Sequence, residues 1–140
     1  MSAIGKPSEA GATLIEMLVV VGILALITGL VFPAWTSPLQ RVALYQARAN
    51  LVANLRTARA DSVRESDVVT LQLAEDGRGY GWEQSSVALP RTIGVDGASR
   101  SITFFADGSS SGGALKVTGG DRSLAVEIDP ATGLVEAEPG

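Results

Sequence analysis

The 140-residue chain contains neither cysteine nor histidine. Disulfides, thiolate or imidazole metal ligands, and the usual general base of nucleophilic catalysis are thereby excluded. Positive charge is also scarce. The formal net charge is -4; of 11 basic and 15 acidic residues, setting aside Lys6, Glu9 and Glu16 before Arg41 leaves ten basic and thirteen acidic. No global basic field is available to attract nucleic acid. The lack of cysteine leaves the compartment open, because a small domain outside the cytosol can do without bridges if its core is adequate. The length suits one modest domain plus an anchoring segment, not two full domains.

What the chain does have is a long apolar run. Met17 to Trp35 comprises 19 residues without a charge, which as a helix would span about 28 Å, close to the roughly 30 Å of a bilayer's hydrocarbon. A buried core helix is the alternative, but a domain of this size has little with which to surround such a run. Lys6 before it and Arg41 and Arg48 after it do not orient it. Residues 1–11 read as a removable leader. An ordinary secretory signal would be cut after the run, and "LVFPAWTSP" offers no small-residue site there. Glu16 stands at the mouth of the run, where a carboxylate is costly unless it has a partner.

Pro33 and Pro38 would interrupt a soluble helix but are tolerated in a membrane helix as a kink. From Gln40 to Ser66 an amphipathic pattern predicts a helix, with Leu44, Leu51, Leu55 and Ala58 on one stripe and Gln46, Asn50, Asn54 and Asp61 opposite. Past Ser66 the composition turns to β-branched and aromatic residues between glycine-rich turns. "VVTLQL", "SITFFA", "ALKV", "SLAVEI" and "GLVEA" read as strands. "EDGRG" reads as the turn before "YGWE", and "DPATG", Asp129 to Gly133, as a hairpin connection. The fold class is therefore α+β, with an antiparallel β domain covered by the amphipathic helix.

"GATLIEM" followed by the apolar run resembles the leader of type IV pilins and pseudopilins. "ITFFADGSSSGG" with "LAVEIDPATGLVEA" is similar to the GspH/FimT pseudopilin domain. The resemblance implies a pilin-like fold: prepilin leader 1–11, transmembrane helix 12–39, amphipathic helix 40–66 and periplasmic β-rich domain 67–140. It implies that prepilin peptidase cuts between Gly11 and Ala12 and that Ala12 is then N-methylated, although Ala12 stands where phenylalanine is usual. Pro33 matches the proline that kinks the family's membrane helices. Glu16 would pair with the free amine of Ala12 on a neighbouring subunit and set the register of assembly. The implied protein is a minor pseudopilin of the type II secretion system. It would be single-pass in the inner membrane, would join other major and minor pseudopilins in a periplasmic pseudopilus, and would have no small-molecule substrate, cofactor or enzymatic activity. The alternative is a FimT-like minor pilin that binds DNA during uptake.

Other constellations are weaker. "GSSSG", Gly108 to Gly112, fits G-x-S-x-G, but no histidine can activate Ser110, and a strand follows where a helix is required. A flexible hairpin loop accounts for it. Arg41, Arg48 and Arg59 share one angular position on the helix, with Arg56 and Arg64 further round; such a stripe can hold phosphates, form a solvated flank, or pair with acidic groups of adjacent subunits. Glu136 and Glu138 put negative charge where a DNA-binding pilin would show basic residues. Asp76, Asp96, Asp107, Asp121 and Asp129 adjoin Gly or Pro, where aspartate serves turns, and no metal is assigned. Tyr80 and Trp82 read as core or inter-subunit packing.

Overall fold

A computed structural model describes residues 13–31, 36–83 and 85–137. The chain divides into two compact units, Met1–Ser37 and Pro38–Gly140.

In the first unit, helix α1 runs from Leu14 to Val31. Its side chains from Leu14 to Gly29 are exposed and almost all apolar, so no face is marked for a protein core. Among the described residues no helix is long and apolar enough to cross a membrane. With 18 residues, α1 would reach about 27 Å, and the apolar run continues into residues 32–35, outside the described set.

The second unit is built on helix α2, Thr36–Glu65. Pro38 lies in its first turn, where the missing N–H would have had no helical partner. The predicted stripe is the buried one: Leu44, Leu51, Leu55 and Ala58 are each at most 1% exposed, joined by Ala47 and Val52. Gln46 and Asn50 are exposed. Asn54, expected opposite the stripe, is instead half-buried and bonded to the β domain, because at 100° per residue it flanks Ala47 and Ala58. Ser62 sits inside the stripe, fully buried, and its hydroxyl donates to the carbonyls of Arg59 at 2.8 Å and Phe105 at 3.2 Å. The helix stops at Ser66, whose φ of 54° is left-handed, while the Asp67 N–H returns to the Ser62 carbonyl at 3.2 Å. That is a Schellman closure with serine where glycine is usual.

Eight strands follow: β1 Val69–Leu73, β2 Gly79–Trp82, β3 Ser85–Ala88, β4 Ile93–Gly97, β5 Ser101–Phe104, β6 Gly113–Gly119, β7 Arg122–Ile128 and β8 Val135–Ala137. All pairings are antiparallel. The strands divide into two four-stranded sheets ordered β3-β2-β1-β5 and β4-β6-β7-β8, a division the sequence pattern did not resolve. Alternation sends Val69, Leu71 and Leu73 inward from β1, and Leu124, Val126 and Ile128 inward from β7, as period-two patterning requires. With Phe104, Ile102, Leu115, Val117 and the α2 stripe they form one core.

Candidate functional site

The N-terminal start of α1 is fixed locally. Thr13 precedes the helix, and its hydroxyl oxygen accepts the Glu16 N–H at 3.3 Å, while its carbonyl accepts the Met17 N–H at 3.2 Å. Thr13 and Glu16 have the T-x-x-E spacing of a capping box. A carboxylate in the first turn also faces the positive end of the helix dipole. This signal was present in the sequence as "TLIE" and gives Glu16 a local stabilisation separate from any neighbour. Gly11, Ala12 and Pro33, the predicted cleavage, methylation and kink positions, lie outside the described residues.

Two arginines of the α2 stripe take a use that the sequence did not suggest. Arg59 Nε donates to the Gly108 carbonyl at 3.1 Å and to the Thr132 carbonyl at 3.0 Å. An Arg56 terminal nitrogen donates to the Val135 carbonyl at 3.1 Å. Arg64 pairs with Asp61 at 3.0 Å and Glu65 at 3.1 Å on the helix surface, and the Arg48 guanidinium lies 5.6 Å from the Tyr45 ring centre. Arg56 and Arg59 therefore fasten the helix to backbone carbonyls of the β domain, bonds that charge assistance strengthens.

Their targets explain the glycine-rich segments. Gly133 has φ 63°, and a Cβ there would collide with the Gly108 carbonyl oxygen and approach Arg59 Nε to 2.9 Å. Only glycine allows that approach. "GSSSG" is not a flexible hairpin; it connects β5 in one sheet to β6 in the other and is pinned. Ser110 is buried, its N–H donating to the Pro130 carbonyl at 3.0 Å and its hydroxyl to the Asp129 carbonyl at 3.0 Å, while its oxygen accepts the Gly112 N–H at 3.0 Å. The hydroxyl that a G-x-S-x-G pattern would offer as a nucleophile is thus spent on backbone closure.

Aspartates serve the turns. Asp107 accepts from the Ser109 N–H at 2.9 Å and hydroxyl at 2.6 Å. Asp129 accepts from the Thr132 N–H at 2.7 Å and hydroxyl at 2.8 Å. These bonds hold both carboxyls below the usual aspartate range, since they favour the charged form. Asp76 accepts from the Arg78 N–H at 2.9 Å. Tyr80 is buried with its hydroxyl on Asn54, and burial raises its pKa while the bond partly offsets the rise. Trp82 packs, partly buried, against the same core.

Residues 6–32 match the family described as the prokaryotic N-terminal methylation motif. Over 72 residues the chain is 41% identical to the pilin-like protein PilA1 of Thermus thermophilus, covering 51% of this chain and 45% of that one. The match thus spans less than half the length of that relative. Among solved structures, the type IV minor pilin FimU of Pseudomonas aeruginosa superposes with a TM-score of 0.63 at 19% identity, over 71% of this chain and 90% of FimU. The minor pseudopilin EpsH from the Type 2 Secretion System of Vibrio cholerae gives 0.57 at 8% identity, over 67% and 94%. The chain has a pilin-like α+β fold and carries the prokaryotic methylation motif at its N-terminal end.

Proposed function

We propose that this chain is a minor subunit of a pilin-type fibre and, within that class, a minor pseudopilin of a type II secretion system. The observation that carries the reading is the union, in one chain, of an almost wholly apolar helix with a capped acidic start and a pilin-like β domain. Neither part suggests chemistry on a small molecule. A helix with no polar side needs lipid or other helices around it, and the uncharged stretch up to Trp35 supports an inner-membrane span with the β domain on the periplasmic side. Prepilin peptidase would cut between Gly11 and Ala12, and Ala12 would be methylated. Glu16 would meet the Ala12 amine of the adjoining pilin as the helices bundle, which offsets the cost of a carboxylate at the bilayer edge.

Two observations set the secretion reading above DNA uptake. Arg56 and Arg59 are engaged with carbonyl groups, and Glu127 stands directly across from Glu136 on paired strands, adding negative potential to that sheet. The 41% identity to the pilin-like protein PilA1 over 72 residues favours a second reading, a minor pilin of a type IV pilus.

Deleting the gene in its native host separates these. Loss of export of folded proteins, restored by the wild-type gene, supports the first reading; intact export with loss of surface pili supports the second. Salt-sensitive DNA binding by the detergent-solubilised chain near physiological ionic strength would overturn the assignment in favour of uptake.

A further inference from the structure

Aspartate followed by glycine occurs three times in the chain, at Asp76–Gly77, Asp96–Gly97 and Asp107–Gly108. In each, the glycine nitrogen has no neighbouring side chain to shield it, so it can attack the aspartate's own carboxyl and close a five-membered imide. The fold decides which pair reacts, because attack needs the two groups aligned at a separation of about 3–3.5 Å.

Two of the pairs are held apart. At Asp107 the carboxyl is taken by the Ser109 hydroxyl at 2.6 Å and N–H at 2.9 Å, while buried Gly108 donates its N–H to the Phe105 carbonyl at 2.9 Å. Those bonds, the hydroxyl's first, hold that carboxyl below the usual aspartate range, and the ionised form is the poorer electrophile. At Asp76 the carboxyl accepts the Arg78 N–H at 2.9 Å, and the Gly77 N–H goes to the Ala74 carbonyl at 3.0 Å. Asp96 differs. Its Oδ1 accepts the N–H of Gly97 itself at 2.8 Å, so nucleophile and electrophile lie in contact. The Val95 N–H bonds the Gly77 carbonyl, outside the β4–β6 ladder, and by alternation the Gly97 N–H likewise points away from β6. Gly97 is the last residue of β4, and Ala98, Ser99 and Arg100 beyond it are exposed, so turning its peptide plane toward the carboxyl disturbs only the end of the ladder. Asp67 makes the same contact with the Val68 N–H, at 2.7 Å, but branching at the Val68 Cβ crowds that nitrogen. Contact and an unshielded nitrogen coincide at Asp96 alone among the three Asp-Gly pairs.

We propose that Asp96 is a spontaneous modification site, at which the folded chain converts to isoaspartate. The Gly97 nitrogen bonds to Cγ, the Cγ–O bond of the neutral carboxyl breaks, and the leaving hydroxyl takes the N–H proton away as water. A second water then opens the imide at the former main-chain carbonyl. No other reactant is needed. The main chain thereafter passes through Cβ and Cγ, one methylene longer, and a free carboxylate stands where the Asp96 carbonyl was. The pairing of Gly97 with Leu115 then falls out of step, so β4 shortens from its C-terminal end.

The full chain, purified in detergent micelles and aged warm at neutral pH, tests this by peptide mass spectrometry, with fragmentation that locates the methylene moved from side chain to main chain. Isoaspartate at Asp96 should exceed that at Asp76 and Asp107 several-fold, and Asp67 should stay unmodified. In urea, where the following residue alone sets the rate, the three Asp-Gly pairs should converge while Asp67 stays slow. Asp96→Asn should react at the same position with release of ammonia. Asp96→Glu, whose ring would be six-membered, should remove the signal there and leave Asp76 and Asp107 unchanged. Ser109→Ala, which takes one bond from the Asp107 carboxyl, should raise the yield at Asp107 and not at Asp96. A yield at Asp76 or Asp107 equal to that at Asp96 in the folded chain, the same ranking in folded and unfolded samples, or no product at Asp96 over a period in which the unfolded chain converts would each overturn the proposal.

Discussion

The Asn54 side-chain amide donates to the Tyr80 hydroxyl at 2.9 Å, joining the middle of α2 to β2. Tyr80 is only 3% exposed, whereas Asn54 is half-buried. The two ends of this bond are therefore unequal. Asn54→Ala leaves a buried hydroxyl without its partner and should cost about 1–3 kcal/mol, while Tyr80→Phe leaves an amide that can turn to water and should cost less. Urea unfolding of both variants tests the asymmetry; a larger loss for Tyr80→Phe would contradict it.

The same tyrosine gives a signed pH dependence. Its folded pKa is raised, chiefly by burial, so above the ordinary tyrosine value near 10 the unfolded chain gives up this proton while the folded chain keeps it. Stability from this group is complete below that pH and falls as pH rises toward the folded value. The urea midpoint should decline above about pH 10, and less steeply in Tyr80→Phe.

At the acid end, Asp107 and Asp129 act in the opposite direction. Both are depressed by hydrogen bonds, first from the Ser109 and Thr132 hydroxyls and then from the same residues' N–H groups. Their contribution is present above the unfolded value of about 3.9 and is lost as pH falls through the folded one. Asp129→Asn should flatten the acid limb of a circular dichroism titration, and Thr132→Val should do so in part.

Gly133→Ala should be far more damaging than its chemistry suggests. The left-handed φ of 63° alone carries strain of about 1–3 kcal/mol for a residue with a side chain, and the added carbon must displace Arg59 or the Gly108 carbonyl. Thermal melting should show a drop of several degrees, and Arg59→Lys, which has no N–H at the Nε position that reaches both carbonyls, should show a smaller one.

The proposed leader chemistry is tested by mass. Gly11→Val should leave the full precursor mass in membranes, and wild type should show the mass beginning at methylated Ala12. Glu16→Ala should be processed normally yet enter fibres poorly. Efficient assembly of that variant would leave Glu16 with only its local place in the first turn of α1, at the positive end of the helix dipole.

The buried stripe of α2 and the alternation in β1 and β7 were legible because each follows a strict period over many residues. Strands β3 and β4 were not: "SSVA" and "IGVDG" are short and rich in serine and glycine, and their identity comes from pairing with β2 and β6 rather than from local preference. Ser62 interrupts an apolar stripe with a polar group that has one partner within the helix, the Arg59 carbonyl, and a second, the Phe105 carbonyl, that is set by the chain reversal after the helix. The arginines show the sharpest limit. Their angular spacing was readable, but that Arg56 and Arg59 end on carbonyls 79 and 49 or 73 positions away depends on loops brought together by the crossing between sheets. The T-x-x-E cap at Thr13 and Glu16, by contrast, was readable and was overshadowed by the leader pattern around it.

One guanidinium, on Arg59, grips two loops that come from the β5–β6 connection and the β7–β8 hairpin. A tug along the helix axis would consequently be shared at once by both sheets, through a knot with almost no slack.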